Sequence, residues 1–333
     1  MDDVNQIPED VLEVIRLTDV LSPTAIRAGA THRVFEAIAQ GMPLGKIAAE
    51  RQVDESILRL LVGFYEEVGL VRHATDETDP DRVELTSTGE IVAQAEPGLS
   101  LRGMLGHGVR SLVGMDHMLK TGEIATFGAF GEDFWTAMSR EGNQADAIEA
   151  ELNGAHAPHD DHLIFENVDW TGTESVADLG GGRGDVLLKI LEKCPGARGF
   201  VLEFGDMAEV ARRHIANLGL ESQVTVIQGT FFEPLPVPVD VIVLSSILAD
   251  WSDSDAVRIL SACRASEAGR VILAEVSLRG NSRAEDLYYR SLIPHPVREV
   301  EELRSLATAA GFTSITVLAE SPLRSVLELR SSP

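Results

Sequence analysis

The chain has 333 residues, the length of two ordinary domains or of one large one. Apolar residues make up 44% and charged residues 24%, so we expect a packed core rather than a disordered or collagen-like chain. Asp and Glu outnumber Lys and Arg by 53 to 28, and the net charge of −25 repels nucleic-acid phosphates and anionic lipid surfaces. Composition therefore argues against nucleic acid or a membrane as the partner.

The sequence has neither a membrane-span pattern nor a secretion-signal pattern. No apolar run reaches the roughly 18–20 residues that a bilayer span needs. The first ten residues, MDDVNQIPED, are acidic where a signal peptide is basic and then apolar. The cysteines, Cys194 and Cys263, match no CxxC or zinc-ligand spacing, which suits a reducing compartment. We therefore expect a cytoplasmic protein without a structural metal site.

Residues 1–95 predict a small, mainly helical domain. Apolar side chains recur at three- and four-residue spacing over residues 8–72, and Asp54 is placed to cap one of the helices. The alternating stretch 71–92, with a polar loop at 76–82, predicts a hairpin. Helix, turn, helix and hairpin together are typical of a winged-helix module.

Winged-helix modules often bind DNA, but the charge of this one argues against it. The candidate recognition helix, DESILRLLVGFYEEVG, has four carboxylates and one arginine, whereas a helix that reads a DNA groove presents Arg and Lys. We interpret residues 1–95 as a dimerisation domain. Residues 96–168 are again mostly helical and predict a linker bundle.

Residues 169–333 predict a Rossmann-like α/β domain. From Ser175 onward, short β-branched or apolar runs (SVADL, GFVLEF, VTVIQG, VDVIVLS, GRVILAEV, SITVLAE and SVLELR) are separated by helical stretches. This alternation is typical of a mostly parallel sheet with helices on both faces.

The segment VADLGGGRGDVLLKILEKCPG predicts a strand, a glycine turn and a helix. Glycines at 180, 181, 182 and 184 allow a sharp turn and let a ligand approach the main chain. The dinucleotide motif GxGxxG would need a glycine at 185, where the sequence has Asp, and the Gly-Lys-Ser/Thr of a P-loop is absent. With Asp178 at the end of the strand, the loop favours a phosphate-free ligand that has an ammonium group.

A second acid, Glu203, ends the next predicted strand, where an acid typically binds both hydroxyls of a ribose. S-adenosylmethionine (SAM) is a cofactor with a ribose, an ammonium group and no phosphate. We therefore predict that the domain binds SAM through Asp178 and Glu203, with S-adenosylhomocysteine (SAH) as the product.

The chain resembles the small-molecule O-methyltransferases of secondary metabolism, over nearly its whole length. The segments that establish the resemblance are GAFGEDFWTAM (128–138), DLGGGRGD (178–185), Glu203, GTFFEPLP (229–236), LADWSDSDAVRILSACR (248–264), AEV (274–276) and ATAAGF (307–312). The resemblance implies a class I methyltransferase domain, a winged-helix dimerisation domain, a homodimer and a small aromatic or polyketide-like substrate. The cofactor-binding positions that it implies are Gly180, Gly182, Gly184, Glu203, Thr230, Phe231, Ser245 and Trp251.

Two positions depart from the family pattern. Thr230 replaces an Asp that accepts a hydrogen bond from the adenine, and its hydroxyl can still accept one. Ala249 replaces the histidine of the usual LHDW, which is the general base. A general base contributes roughly 10²–10⁴ in rate, so methylation of an acidic hydroxyl or carbon stays open. The alternative is a protein that binds SAM and catalyses a pericyclic, decarboxylating or hydroxylating reaction.

The run HAPHDDH supplies other candidate bases: His156, His159 and His162. The resemblance implies that this run covers the substrate pocket, and histidines at this spacing share one face of a helix. A metal site and a solvated helix start are the alternatives, and Pro158 interrupts the run. We predict no metal, and include Asp250, beside Ala249, among the catalytic candidates.

Five further residues are candidates for contact with the substrate. Tyr288 and Tyr289 lie on one predicted helix, and a phenol suits a pocket that needs an apolar body and a polar tip. His295 lies between two prolines near the acceptor pocket that the resemblance implies. Phe134 and Met138 have helical spacing, which is equally typical of a buried core.

Overall fold

The structure is a computed structural model that describes residues 7–73, 81–154, 160–277 and 282–331. The chain divides after Gly106 into two units. In the N-terminal unit the helices are α1 (Glu9–Leu17), α2 (Leu21–Thr31), α3 (Val34–Ala39), α4 (Leu44–Arg51), α5 (Glu55–Glu67) and α6 (Ser87–Leu99). Strands β1 (Val71–His73) and β2 (Val83–Leu85) form an antiparallel pair between α5 and α6.

Local hydrogen bonds explain where two of these helices begin. Asp54 caps α5 as predicted, because its Oδ1 accepts a hydrogen bond from the Ile57 N–H at 3.0 Å. The predicted hairpin is too long at its far end, since residues 87–92 are the first turns of α6. The hydroxyl of Thr86 accepts a hydrogen bond from the Gly89 N–H at 3.2 Å. This cap starts a helix where the alternation of residues predicts a strand.

The C-terminal unit is organised around a seven-stranded sheet. Its strands are β3 (Ser175–Leu179), β4 (Arg198–Glu203), β5 (Val224–Gln228), β6 (Val241–Ser245), β7 (Arg270–Val276), β8 (Ser314–Glu320) and β9 (Arg324–Arg330). The strand order is β5-β4-β3-β6-β7-β9-β8. The first five strands in this order are parallel, and β9 is antiparallel to both β7 and β8. All seven predicted strands are present, and the predicted α/β class is confirmed.

Helix α7 (Gly103–Ser111) crosses the boundary between the units. The remaining helices are α8 (Met115–Thr121), α9 (Ala125–Phe130), α10 (Phe134–Glu141), α11 (Ala145–Gly154), α12 (His162–Asn167), α13 (Asp185–Lys193), α14 (Gly205–Asn217), α15 (Asp253–Ala265), α16 (Arg283–Leu292) and α17 (Val300–Ala309). Two 3₁₀ turns cover Leu112–Gly114 and Leu248–Asp250, and we call the second one the 248–250 turn. No helix in the described ranges is long and apolar enough to cross a bilayer.

Alternate residues of the central strands pack on opposite faces of the sheet. Val176 and Val201 belong to the core cluster with α13 and α14, whereas Ala177 and Leu202 belong to the cluster with α15 and α17. The chain runs outward from β3 to β4 and β5 and then returns to β6 on the other side of β3. A ligand crevice is expected at the carboxyl ends of the strands where such a sheet reverses its order.

Candidate cofactor and acceptor site

The glycine loop lies at the carboxyl end of β3, where the sheet order reverses. Gly180, Gly182 and Gly184 have φ of 70°, 58° and 91°, a region that other residues rarely adopt. The N–H of Gly180 donates to the Leu202 carbonyl at 2.8 Å, which ties the loop to β4. A Cβ on Gly180 would lie 2.4 Å from Cδ1 of Ile247. The loop therefore needs glycine and lies directly against the chain that leads into the 248–250 turn.

Asp178 lies under this loop and is completely buried. Neither carboxylate oxygen has a hydrogen-bond partner within the described part of the chain, and the Leu187 amide offsets the effect of burial only partly. Burial raises the pKa of Asp178 to about 7. A Cβ on Gly181 would lie 2.5 Å from Oδ2 of Asp178, so the loop can cover the carboxyl only with glycine there. A buried carboxyl without partners is an acceptor for a cationic ligand group.

Glu203 ends β4 and is 5% exposed. Its Oε1 accepts a hydrogen bond from the Gly182 N–H at 2.7 Å, and its Oε2 accepts one from the Phe204 N–H at 3.2 Å. Burial raises its pKa to about 8, and the nearby Asp178 acts in the same direction. The two predicted acids therefore lie at one edge of the sheet, where Asp178 makes ionisation of Glu203 less favourable.

These pKa shifts predict a pH dependence of stability. Asp178 and Glu203 have ordinary values of 3.8 and 4.5, and the folded chain raises both. Between pH of about 5 and 8 the folded state binds more protons at these groups than the unfolded state does, so they make the free energy of unfolding fall as pH rises. The lowered pKa of the buried His107 acts in the opposite sense. Denaturant titrations of wild type and Asp178→Asn across this range test the sign, because the wild-type free energy must fall more steeply.

Gly180→Ala is expected to lower the free energy of unfolding by about 1–3 kcal/mol, because the new Cβ meets Ile247 and the backbone has positive φ. It should also weaken SAM binding, which calorimetry measures. Gly196→Ala is the matched control, since a Cβ there meets no atom within 4 Å. Equal stability of the two variants would contradict the proposed close packing of the loop.

The 248–250 turn presents Ala249 and Asp250. Oδ2 of Asp250 accepts a hydrogen bond from the Trp135 Nε1–H at 2.8 Å, and loss of solvation raises the pKa of Asp250 to about 7. The buried Arg298 donates to the carbonyl oxygens of Leu248 and Trp251. The turn is therefore held from two sides, by α10 and by the segment before α17.

Two predicted cofactor-binding residues, Phe231 and Trp251, belong to an aromatic cluster. Phe231 is 3% exposed, and its ring centroid lies 5.7 Å from Phe204 and 5.8 Å from Trp251. Thr230 is exposed, and its hydroxyl accepts a hydrogen bond from the Phe232 N–H at 3.2 Å. In this structure the Thr230 hydroxyl therefore already has a backbone partner.

Of the predicted substrate residues, Phe134 and Met138 are buried on α10, at 7% and 4% exposure. The Phe134 ring lies 4.9 Å from His107 and 5.1 Å from Trp135, so α10 joins an aromatic group to the 248–250 turn. This aromatic group connects the predicted substrate residues with the catalytic candidate Asp250.

The remaining substrate candidates lie near the end of α16. Tyr288 and Tyr289 are partly buried with ring centroids 6.0 Å apart. The backbone N–H of His295 donates to the Ala249 carbonyl at 3.1 Å. Its Nε2 lies 3.5 Å from Asp253, and burial lowers its pKa. The loop with His295 therefore lies against the 248–250 turn.

Among the three candidate histidines, His162 lies in the described residues. His156 and His159 lie outside the described residues. His162 is exposed at the start of α12, whose buried residue Ile164 packs with the α13 face of the sheet. The 248–250 turn packs instead with the α15 face. The described residues contain no group of three or more His, Cys, Asp or Glu that could hold a metal ion.

Sequence reasoning missed three charged residues at this edge of the sheet. Glu275, Arg298 and Arg324 are 3%, 6% and 1% exposed. Glu275 falls within the AEV motif, yet the motif alone assigns it no role. Glu275 interrupts the apolar run of β7, and this is a signal that a search for buried charge would use.

With this fold and this loop, the C-terminal unit is a class I methyltransferase domain. The chain belongs to the O-methyltransferase family, whose domain model matches residues 116–313. It is a SAM-dependent methyltransferase, so the predicted cofactor is confirmed.

Two relatives and one solved structure show which proteins this chain is similar to. Aclacinomycin 10-hydroxylase of Streptomyces purpurascens is 32% identical over 89% of this chain and 82% of its own length. The 2,7-dihydroxy-5-methyl-1-naphthoate 7-O-methyltransferase of Streptomyces carzinostaticus is 30% identical over 89% and 90%. A crystal structure of an O-methyltransferase from neocarzinostatin biosynthesis, in complex with SAH, superposes with a TM-score of 0.75 at 27% identity, over 95% of this chain and 99% of that one.

Proposed function

We propose that this chain transfers the methyl group of SAM to a hydroxyl oxygen of a small aromatic or polyketide-like metabolite. The observation on which the proposal rests is the buried, unpartnered carboxyl of Asp178 beneath a loop that only glycine can form. SAM, when bound, supplies a methyl group activated by a positively charged sulfur. Asp178 would bind its ammonium group, Glu203 its ribose hydroxyls, and Phe231 would lie against its adenine.

The chain's own contribution is alignment and exclusion of water. The hydrogen bond between Trp135 and Asp250 fixes the 248–250 turn against α10, and the aromatic rings of α10 provide an apolar wall. A fixed, dry site places an acceptor oxygen in line for displacement, which is where an enzyme of this class gains rate. The aromatic lining and the naphthoate named for one relative both support an aromatic acceptor.

The direct test incubates the purified protein with SAM and 2,7-dihydroxy-5-methyl-1-naphthoate or 3-amino-4-hydroxybenzoate, the acceptors named for two relatives. We expect SAH and a methylated product in equal amounts, and a lower rate of SAH formation from Asp178→Asn at a SAM concentration near the wild-type Kd. A changed acceptor without SAH would instead support the non-methylating alternative, which Ala249 and the hydroxylase name of one relative keep relevant. If no aromatic phenol yields either SAH or a changed acceptor, the proposal is overturned.

We also propose that residues 1–95 form the dimerisation domain of a cytoplasmic homodimer. Helix α1 buries none of its own residues, and Val11, Leu12 and Ile15 are 44%, 49% and 54% exposed. An exposed apolar helix face of this kind is typical of an interface. The cysteines are buried and unpaired, which suits a reducing compartment.

Light scattering after size exclusion tests the dimer. We expect wild type to elute at twice its monomer mass and Leu12→Glu/Ile15→Glu to elute as a monomer. Leu119→Glu is the control, because Leu119 is an exposed apolar residue of α8 in the other unit. A monomeric wild type would contradict the proposed dimer.

A further inference from the structure

Glu275 is a buried carboxyl that no step described so far uses. It lies one residue from the carboxyl end of β7, next to Ala274, which pairs with Ser245 of β6. Alternation along β7 places it on the same face as Val271 and Leu273, whose core cluster includes Leu248 of the 248–250 turn. Glu275 therefore belongs to the side of the sheet where the family histidine is replaced by Ala249.

The carboxyl of Glu275 has no hydrogen-bond partner among the residues that the structure describes, and the side chain belongs to a residue only 3% exposed. Three charged groups face it: Asp250 of the 248–250 turn, Arg298 before α17 and Arg324 of β9. Burial and Asp250 raise the pKa of Glu275 to about 8, while the two arginines and the Leu248 amide oppose the shift.

The hydrogen bonds of the two arginines go to other groups. Arg298 donates to main-chain carbonyls of the turn and to Asp253. Arg324 donates to the Ser245 and Ser246 hydroxyls and to the Ala274 carbonyl, each at 3.0 Å. The arginines therefore act on Glu275 as nearby charges, and its oxygens keep their capacity to accept a hydrogen bond or a proton.

The other titratable groups near the turn are already engaged. Asp250 accepts the Trp135 hydrogen bond, and His295 faces Asp253 with 39% of its side chain exposed. Ala249 has only a methyl group and cannot take up a proton. A buried carboxyl beside a site that lacks its usual base has the chemistry and the placement to take that base's proton.

We propose that Glu275 accepts the proton of the acceptor hydroxyl, an inference that rests on the proposed function. The acceptor O–H bond breaks, its proton goes to a carboxylate oxygen of Glu275, and the electron pair stays on the acceptor oxygen. That oxygen bonds to the methyl carbon as the carbon–sulfur bond breaks, with its electron pair going to sulfur. The products are a methyl ether and neutral SAH, and Glu275 later returns the proton to solvent.

The kinetic test compares wild type, Glu275→Gln and Glu275→Asp with the two acceptors named above and with 4-nitrocatechol, a more acidic phenol. We expect Glu275→Gln to lose roughly 10²–10⁴-fold in kcat for the weakly acidic phenols and much less for 4-nitrocatechol. Wild-type kcat should rise with pH through the titration of Glu275, and Glu275→Gln should lack this limb. Glu275→Asp should restore part of the rate and of the limb.

The matched control is Glu328→Gln. Glu328 lies on the neighbouring strand β9, opposite Ile272 of β7, and is paired with Arg270 and Arg330. We expect its kcat and pH profile to equal those of wild type, and the SAM affinity of Glu275→Gln to stay within about twofold, which shows that the fold is intact. A Glu275→Gln kcat within about threefold of wild type overturns the inference while leaving the proposed function in place.

A spectroscopic readout needs no turnover. In pH-difference infrared spectra of the protein with SAH, wild type should show a protonated-carboxyl band that disappears near neutral or mildly alkaline pH and is missing from Glu275→Gln. Identical difference spectra for wild type and Glu275→Gln overturn the inference. If wild type forms no SAH from any acceptor, the proposed function is contradicted. The infrared band then still tests separately whether Glu275 takes up a proton.

Discussion

Asp178→Asn is expected to weaken SAM binding by roughly 10–100-fold, or about 1.4–3 kcal/mol, while making the SAM-free protein more stable. The affinity falls because a neutral amide cannot replace the charge-assisted hydrogen bond to an ammonium group. The stability rises because the wild-type carboxylate is buried without a partner. Its raised pKa reflects this cost of desolvation, which the neutral amide does not have. Calorimetric titration with SAM and thermal unfolding at mildly alkaline pH measure the two effects.

Asp169→Asn is the control for this pair of measurements. Asp169 precedes β3, is exposed, and accepts a hydrogen bond from the Thr171 N–H at 2.9 Å. We expect its SAM affinity to equal that of wild type. An Asp178→Asn protein that binds SAM with wild-type affinity would remove the central observation behind the proposed function.

Arg324→Met is expected to lower the free energy of unfolding by about 3–5 kcal/mol, the range for removing one partner of a buried charged network. Arg324 is 1% exposed and lies 2.8 Å from Asp161 in addition to its three hydrogen bonds near Ser245. Without the guanidinium, Asp161 and the Ser245 and Ser246 hydroxyls lose this partner, whereas the Ala274 carbonyl keeps its hydrogen bond from the Ser246 N–H. Urea denaturation with circular dichroism measures the loss.

Two further variants separate charge from geometry at this position. Arg324→Lys keeps the charge without the planar fork, so its loss should lie between those of wild type and Arg324→Met. Arg330→Met removes the half-exposed arginine at the other end of β9 and should cost less than about 1 kcal/mol. If Arg324→Met costs no more than Arg330→Met, the network does not stabilise the fold as argued.

Local sequence patterns predict much of this molecule because the relevant forces are local. Short motifs specify backbone conformation and strand ends, and these determine the places of the glycines after β3 and of the acids near the ends of β3 and β4. The seven strands follow from runs of apolar and β-branched residues. The first turns of α6 escape prediction because a single cap at Thr86 overrides the alternating pattern.

The acceptor side of the site is less predictable because distant parts of the chain form it. Asp250, Glu275, Arg298 and Arg324 come from four separate segments, and only the order of strands in the sheet brings them together. Their separations in sequence follow no motif spacing. In the histidine run the spacing suggests a shared helix face, but the side chain of His162 is exposed at the start of α12.

The excess of acidic side chains at the carboxyl edge of the sheet affects how readily the product SAH is released. Four acids lie here: Asp178, Glu203, Asp250 and Glu275. Arg298 acts on Asp250 and Glu275, and Arg324 acts on Glu275. A sulfonium gains from such an environment, whereas a thioether does not. The protein should therefore bind SAM more tightly than SAH. Methyl transfer would then lower the affinity for the product that has to dissociate.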